Sequence, residues 1–416
     1  MWGFVDWGSQ EHQLCLVDAA GKVVCQRRFS HTATDLEKLC ALLRRPRPGQ
    51  PAVTAVGIER PDGPVVDAML EAGLAVYAIN PKQIERFRTF IAPSGRKDDR
   101  LDAFAGAEAL RQHPDRFMRL STPEPWTIVL KDLLCLRADL VQQQVRIKHR
   151  IREQLQRYYP QFWTLGKLKT SWQRALWYQV STPAKAQRVR PQTIAKLLKK
   201  HHVRRYDAEG VLKVLRQTPL SVAEGVVDGA LCRLESHFSE LDLVLTHLDQ
   251  CKSKLQDLIQ QRDAEQKATM APEGLTDVEL IRRVPGMGIP QVAALYAHAH
   301  AALEARDWNR LRLRAGVAPV STLTGRKQNR YHPRSPPRVR MRHACSNELR
   351  NAIFNAACAA VLNSPFYKAR YDRYRAKGHT HGRACRQIGD HLLRVMTATL
   401  RSRQPYDSGR LHGKEP

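Results

Sequence analysis

Gly3-Phe4-Val5-Asp6-Trp7-Gly8-Ser9-Gln10-Glu11-His12-Gln13-Leu14-Cys15-Leu16-Val17-Asp18 is the stretch that decides the fold. Gly3 to Trp7 and His12 to Asp18 are rich in apolar and β-branched residues and are broken by Gly8-Ser9, the pattern of two strands around a tight connection. Lys22 to Phe29 repeats the pattern after the Ala20-Gly21 turn, which predicts an antiparallel meander. Beyond it, Leu36, Leu39, Leu42 and Leu43 give Thr34 to Arg44 helical spacing. Ala52 to Glu59 is an almost continuous apolar run of buried-strand character, Asp67 to Ala72 continues a helix, and Leu74 to Asn80 is another strand closed by Pro81. Strands and helices alternating in this order predict an α/β sheet. Two carboxylates fall at telling places: Asp6 within the first strand, and Glu59 at a strand's carboxyl end, where open sheets build their sites.

The next acidic group is Arg96-Lys97-Asp98-Asp99-Arg100-Leu101-Asp102-Ala103. A helix from Leu101 to Gln112, carried by Ala103, Phe104, Ala107 and Leu110, sets Asp99 and Asp102 three residues apart on one face. Neighbouring carboxylates repel unless a cation lies between them, and a hard, oxygen-seeking ion such as Mg2+ is suited to that place. The alternative is a solvated helix start, where acids favour the N-terminal dipole. Lys97 either contacts phosphate or pairs with a neighbouring acid.

The 416 residues, 43% hydrophobic, suffice for two or three domains with their own cores. No run of about 18 apolar residues occurs, and Asp6 and Glu11 stand where a signal peptide needs an apolar centre, so a soluble, unexported chain with no membrane partner is expected. Nine cysteines without a CxxC pair argue for reduced thiols used in packing, not for a disulfide framework or zinc site. The net charge of +28 points to a polyanion, nucleic acid before membrane. That charge is uneven: residues 1 to 100 hold 14 Lys+Arg against 12 Asp+Glu, residues 301 to 416 hold 24 against 7.

Thr127 to Tyr159 carries Leu133, Leu136, Leu140, Val145, Ile147, Ile151 and Leu155 at helical spacing, and Leu234, Phe238, Leu241, Leu245, Leu248, Leu255 and Ile259 follow a heptad rhythm. The two helices pair either as a hairpin within the chain or as a coil between chains. Between them, residues 162–228 form a basic insertion with Lys199-Lys200-His201-His202, Arg204 and Arg205 among Trp163, Trp172 and Trp177, a composition suited to RNA or single-stranded DNA, although core positions also explain the tryptophans. Pro285-Gly286-Met287-Gly288 reads as the turn of a helix-hairpin-helix, with Gly286 and Gly288 leaving backbone N–H groups for a DNA phosphate; a plain turn between packed helices is the other reading. Arg326, Lys327, Arg330, Arg334, Arg338, Arg340 and Arg342 alternate with polar residues and prolines, an extended cationic run able to neutralise several phosphates. His379 and His381 have no third ligand nearby in sequence and read as a loop and helix start.

Taken together, Asp6, Glu59, Ile79-Asn80-Pro81 and Lys97-x-Asp99-x-x-Asp102-Ala103 resemble the DEDD transposases of insertion sequences, a family similar to Piv-type DNA invertases. The resemblance is clearest over residues 1–120, where it implies an N-terminal RuvC-like, ribonuclease-H-type domain, and over 275–405, where it implies a mainly helical C-terminal DNA-binding domain containing the helix-hairpin-helix. The residues between, 121–270, read as a long helical coiled-coil middle, longer than the family leads one to expect, and 406–416 as a disordered tail. It makes Asp6, Glu59, Asp99 and Asp102 the ligands of Mg2+. It places the family's serine nucleophile, which follows a Gly-x-x-Pro segment, at Thr324 after Gly316-Val317-Ala318-Pro319, with Ser321 a weaker alternative; a threonine hydroxyl can attack phosphorus, though its methyl crowds the approach. Arg342 to Arg350 matches a family segment that brings Arg350 near the nucleophile. The implied activity is DNA recombination in the bacterial nucleoid by a homo-oligomer, a dimer or tetramer, guided by a structured noncoding RNA. Two other classes fit parts of the chain: a nucleic-acid-binding relative without catalysis, and a sugar kinase or actin-like ATPase, suggested by Asp6-Trp7-Gly8-Ser9 but lacking a second Asp-x-Gly-x-Gly loop.

Overall fold

The computed structural model describes residues 1–44, 53–92, 98–166, 168, 170–271, 273–322, 338–407 and 409. It divides into two compact units, Met1–Glu124 and Pro125–Pro416.

In the first unit, β1 (Trp2–Asp6), β2 (Glu11–Val17) and β3 (Val23–Ser30) form the expected antiparallel meander. After α1 (Ala33–Arg44), β4 (Ala55–Ile58) joins β1 in parallel, and after α2 (Pro64–Glu71), β5 (Val76–Ala78) joins β4 in parallel. α3 (Pro81–Ile91) and α4 (Asp99–Gln112) follow, and β6 (Met118–Arg119) closes a sheet ordered β3-β2-β1-β4-β5-β6. Period-two alternation gives this sheet two apolar faces. Val5, Leu14, Leu16, Val56 and Ile58 pack with Leu39 and Leu43 of α1 and Val66 and Met69 of α2. Phe4, Cys15, Val17, Ala55 and Ile79 pack with Ala103, Ala107 and Leu110 of α4. The small residues of α4 let it lie close: a Cβ on Gly106 would sit 2.4 Å from the Phe4 ring. Several boundaries shift from the sequence reading. α4 begins two residues early because Asp98 caps it, its carboxylate accepting from Leu101 N at 2.8 Å. α2 starts at Pro64 rather than Asp67, since proline is tolerated in a first turn.

In the second unit, α5 (Pro125–Tyr158) and α11 (Val226–Ala268) pair with each other inside the chain. The pairing is antiparallel, with Cys251 Sγ donating to Leu133 O at 3.3 Å near one end and Ile151 and Leu155 sharing a core with Leu234 and Phe238 near the other. That core is closed by α6 (Pro160–Thr164), α7 (Ser171–Gln179), α8 (Pro183–Arg188), α9 (Pro191–Lys200) and α10 (Ala208–Leu215). Trp172 and Trp177 are buried in it, Trp177 stacked on Phe238 at 4.1 Å, so they are not a platform for bases. A second core gathers α12 (Asp277–Arg282), α13 (Ile289–Glu304), α14 (Trp308–Arg314), α15 (Asn347–Asn363), α16 (Pro365–Ala376) and α17 (His381–Ser402), beside the short hairpin β7 (Val320–Thr322) and β8 (Arg338–Arg340). Tyr406 packs on this core. No helix among the described residues is long and apolar enough to cross a membrane.

Candidate active site

Strand register and alternation place the first two carboxylates. Phe4 of β1 lies opposite Gly57 of β4, and both face α4. Two residues on, on that same face, come Asp6 at the end of β1 and Glu59 just past the end of β4. The alternation continues past the strand ends, since the Arg60 guanidinium lies over the ring of Trp7, which packs on the opposite face, at 4.8 Å. α4 crosses this face with its last turn near the start of β1, where Arg111 reaches Ala19 O at 3.0 Å, and its first turn near Asp6. Asp99 and Asp102 stand in that first turn. Asp6 and Asp99 line one cleft of about 100 Å³ together with Glu11 and Arg28.

The electrostatics of this cleft are set by arginines. Arg88 Nη1 of α3 donates to Asp102 Oδ1 at 2.6 Å, both side chains largely buried, and the contact raises the Arg88 guanidinium above its ordinary value. Arg28 bridges Glu11 and Asp99, 3.6 Å from each, in more open surroundings where such pairs contribute little. Turned to these partners, no three of Asp6, Glu59, Asp99 and Asp102 bring oxygens all within 4.8 Å of one another. Behind the cleft His12 is fully buried and hydrogen-bonded to His31 at 2.9 Å, and burial, then the His31 charge, lowers its pKa. Glu11, Arg28 and Arg88 were missed from sequence. Glu11 was readable, since it opens β2 across the hairpin from Asp6, whereas the arginines act over separations that only the fold closes. Lys97 lies outside the described residues.

In the second unit, the turn between α12 and α13 is shaped for packing. Gly286 has φ +80°, and a Cβ there would lie 2.1 Å from Ala356 O of α15, so only glycine fits. Gly288 N is taken by Gly286 O and Gln291 Oε1, both at 3.2 Å, which leaves fewer open N–H groups than the sequence suggests. Ser321 lies on β7 opposite Val339, and Arg338 and Arg340 lie on β8. Thr324, Arg326, Lys327 and Arg330 lie outside the described residues. Leu349 and Ile353 are buried and Phe354 packs on the core. Arg350 lies beside Gly316, where a Cβ would come 3.1 Å from its Nε, and donates from Nη2 to Arg342 O at 3.0 Å and to Cys345 Sγ. The adjoining cleft of about 300 Å³ is lined by Gly316 to Pro319, Arg312, Arg340, Arg383, Arg386 and Asp390. Asp390 accepts two hydrogen bonds from Arg312, which leaves Arg340, Arg383 and Arg386 as the cationic wall. Burial, then the charges of Arg350 and Arg383, lowers the Arg386 pKa. Arg383 and Arg386 were missed because they sit on an amphipathic helix whose pattern explains them as surface residues.

Known proteins carry the same two regions. A DEDD, IS110-type transposase family model matches residues 5–160, the region of the carboxylates, and the model of the transposase IS116/IS110/IS902 family matches residues 278–372, which includes the Gly316–Pro319 turn. The "Putative transposase y4uE" of Sinorhizobium fredii is 41% identical over 206 residues, 49% of this chain, and the match spans only 57% of that protein's length. The "Mini-circle putative transposase for IS117" of Streptomyces coelicolor is 25% identical over 419 residues, covering 98% of this chain and 95% of that one. The "Insertion element IS116 uncharacterized 44.8 kDa protein" of Streptomyces clavuligerus is 25% identical over 412 residues, covering 97% and 95%. Two models matching in chain order, over residues 5–160 and 278–372, with relatives alike from end to end, place the chain in the IS110-type DEDD family of insertion-sequence transposases.

Proposed function

We propose that the chain is a transposase that cuts and rejoins DNA for its own insertion sequence, with Asp6, Glu59, Asp99 and Asp102 as the acidic centre of a RuvC-like domain and Thr324 as the attacking hydroxyl. The observation that supports this reading is the cleft that Asp6 and Asp99 share, with Asp102 in the same first turn of α4 and Glu59 directed to the same sheet face by alternation. Four carboxylates and no sulfur or imidazole ligand make a hard oxygen donor set that fits Mg2+. When bound, Mg2+ would stabilise charge developing on a scissile phosphate.

The chain's own residues do the rest. Arg88 holds Asp102 ready and satisfied until it is needed, whereas the exposed Arg28 leaves Asp99 free to turn to an ion. Arg340, Arg383 and Arg386, beside the Gly316–Pro319 turn that leads to Thr324, hold the DNA backbone. The Thr324 hydroxyl oxygen bonds to phosphorus while the bond from phosphorus to one deoxyribose oxygen breaks, that oxygen takes up a proton, and rejoining to another strand's hydroxyl reverses the exchange. Ser321, already on β7, is the weaker candidate for the same role.

A structured noncoding RNA fits the exposed Lys199, Lys200, Arg204 and Arg205 of the middle segment, through phosphates rather than stacking because the nearby Trp172 and Trp177 are packed inside. A homo-oligomer, dimer or tetramer, fits the exposed Leu136, Val145 and Leu243 on the long helices. The test uses purified chain, Mg2+, labelled DNA from the element's own junction and RNA transcribed from its flank, scored for a protein–DNA adduct that survives denaturation. The expected adduct disappears in Thr324→Ala and in Asp102→Asn. An adduct that persists in Thr324→Ala overturns the nucleophile, and one that persists in Asp102→Asn overturns the acidic centre.

A further inference from the structure

We propose that Cys358, His381 and Cys385 form a tetrahedral site for a soft divalent ion, Zn2+ in the first instance, that clips α15 to α17. In sequence His381 lacks a third ligand and the cysteines read as packing residues, but the fold supplies what sequence separation hides. His381 opens α17 and Cys385 stands one turn later on the same face, while Cys358 comes from α15. Their ligand atoms all lie within 4.8 Å of one another. The two sulfurs are 3.9 Å apart, and Cys385 Sγ is 3.8 Å from His381 Nε2. A tetrahedral Zn2+ with bonds of about 2.3 Å to sulfur and about 2.05 Å to nitrogen requires edges of about 3.8 Å between sulfurs and about 3.6 Å from sulfur to nitrogen. Two of the three edges are therefore within a few tenths of an ångström of ligating geometry, and the third, from Cys358 to His381, lies within 4.8 Å.

Two further features suit a metal. His381 Nδ1 is hydrogen-bonded to Tyr371 Oη at 2.9 Å, the outer partner that fixes ring orientation and leaves Nε2 for the ion. All three ligands line a cavity of about 750 Å³, with Ser364, Lys368 and Tyr371 on its wall, which leaves room for a fourth ligand. This set of sulfur and imidazole excludes Mg2+ and separates the site from the carboxylates of the first unit. Its placement has a mechanical meaning: Arg383 and Arg386 flank Cys385, so an ion here fixes the turn of α17 that carries the cationic wall.

The test is Co2+ titration of the full chain, purified under reducing conditions and stripped of metal with a chelator. One equivalent of Co2+ should give the intense visible bands of a tetrahedral ion with thiolate charge transfer, and Zn2+ should bleach them. Cys385→Ser and Cys358→Ser should each abolish the thiolate signal, Cys232→Ser, at an exposed position on α11, should leave it intact, and Tyr371→Phe should weaken Co2+ binding about tenfold. Far-ultraviolet circular dichroism checks that each variant is folded; should Cys385→Ser not fold, the half-buried Cys358 position and the wild-type spectrum decide. Absence of tetrahedral bands in the reduced wild type, or bands that survive both cysteine substitutions, overturns the site, as does quantitative formation of a Cys358–Cys385 disulfide with no metal taken up before oxidation.

Discussion

Arg88 and Asp102 hold each other between α3 and α4, and this contact engages one of the four carboxylates of the proposed acidic centre. A carboxylate with only 15% of its side chain exposed is costly to leave alone. Arg88→Met should therefore lower the stability of the ion-free chain by about 2 kcal/mol, the penalty for one unsatisfied, largely buried group. A ligand that binds only the folded state restores stability as its concentration exceeds its dissociation constant. Added Mg2+ should thus raise the midpoint of thermal unfolding more in Arg88→Met than in wild type, because the freed Asp102 has no competing partner. Equal responses of the two proteins to Mg2+ would remove Asp102 from the ligand set. The carboxylates themselves were legible, since a strand-end acid and a helix-start acid are local patterns. Their arginine partners were not, because Arg28 and Asp99 meet only after the meander and α4 have packed.

Elements hold these residues in place through two kinds of contact. The close approach of α4 to the sheet depends on Gly106, whose Cβ position is occupied by the Phe4 ring. Gly106→Val should cost about 3 kcal/mol through overpacking and push the α4 first turn away from Asp6, so chemical denaturation should show a lower midpoint. An unchanged midpoint would mean that the helix does not rest on Phe4. The second contact is ionic. Asp277, at the start of α12, accepts hydrogen bonds from Arg306 after α13 and Arg403 after α17. Burial alone would raise its pKa, but Arg306 and Arg403 bring it below the ordinary carboxylate value. The folded-state value lying under the unfolded one, the stabilisation is complete above about pH 4 and is lost as pH falls through the folded-state value. Asp277→Asn should then cost about 3 kcal/mol at neutral pH, and the gap to wild type should close as pH falls through the folded-state value. A gap that stays constant with pH would show that shape rather than charge ties these helices. Long elements were readable: α5 and α11 announced themselves by sustained periodicity. Pairing inside the chain rather than between chains was not, because a heptad rhythm is the same for both. β6 carries two exposed residues and no pattern at all.

At the scale of the whole molecule the charge is divided, near balance over residues 1 to 100 and strongly basic over residues 301 to 416. The first unit thus has carboxylates suited to chemistry, and the second has arginines suited to grip. Composition made that division visible, but it could not say which cations act together. The fold selects Arg340 together with Arg383 and Arg386, which lie far from it in sequence, and gathers them on one cleft. Binding through phosphates releases counterions, so the logarithm of affinity falls linearly with the logarithm of salt concentration, by about 0.9 for each phosphate neutralised on duplex DNA. Arg383→Ala and Arg386→Ala should each flatten that slope by about one, weakening binding to all sequences alike. Asp6→Asn removes no cation, so it should abolish strand exchange while leaving the slope as it is. Filter binding or fluorescence anisotropy across a salt series separates the two. A slope that is unchanged in both arginine variants would take the cleft out of the DNA path, whereas a flattened slope in Asp6→Asn would mean that the acidic centre and the grip are not independent.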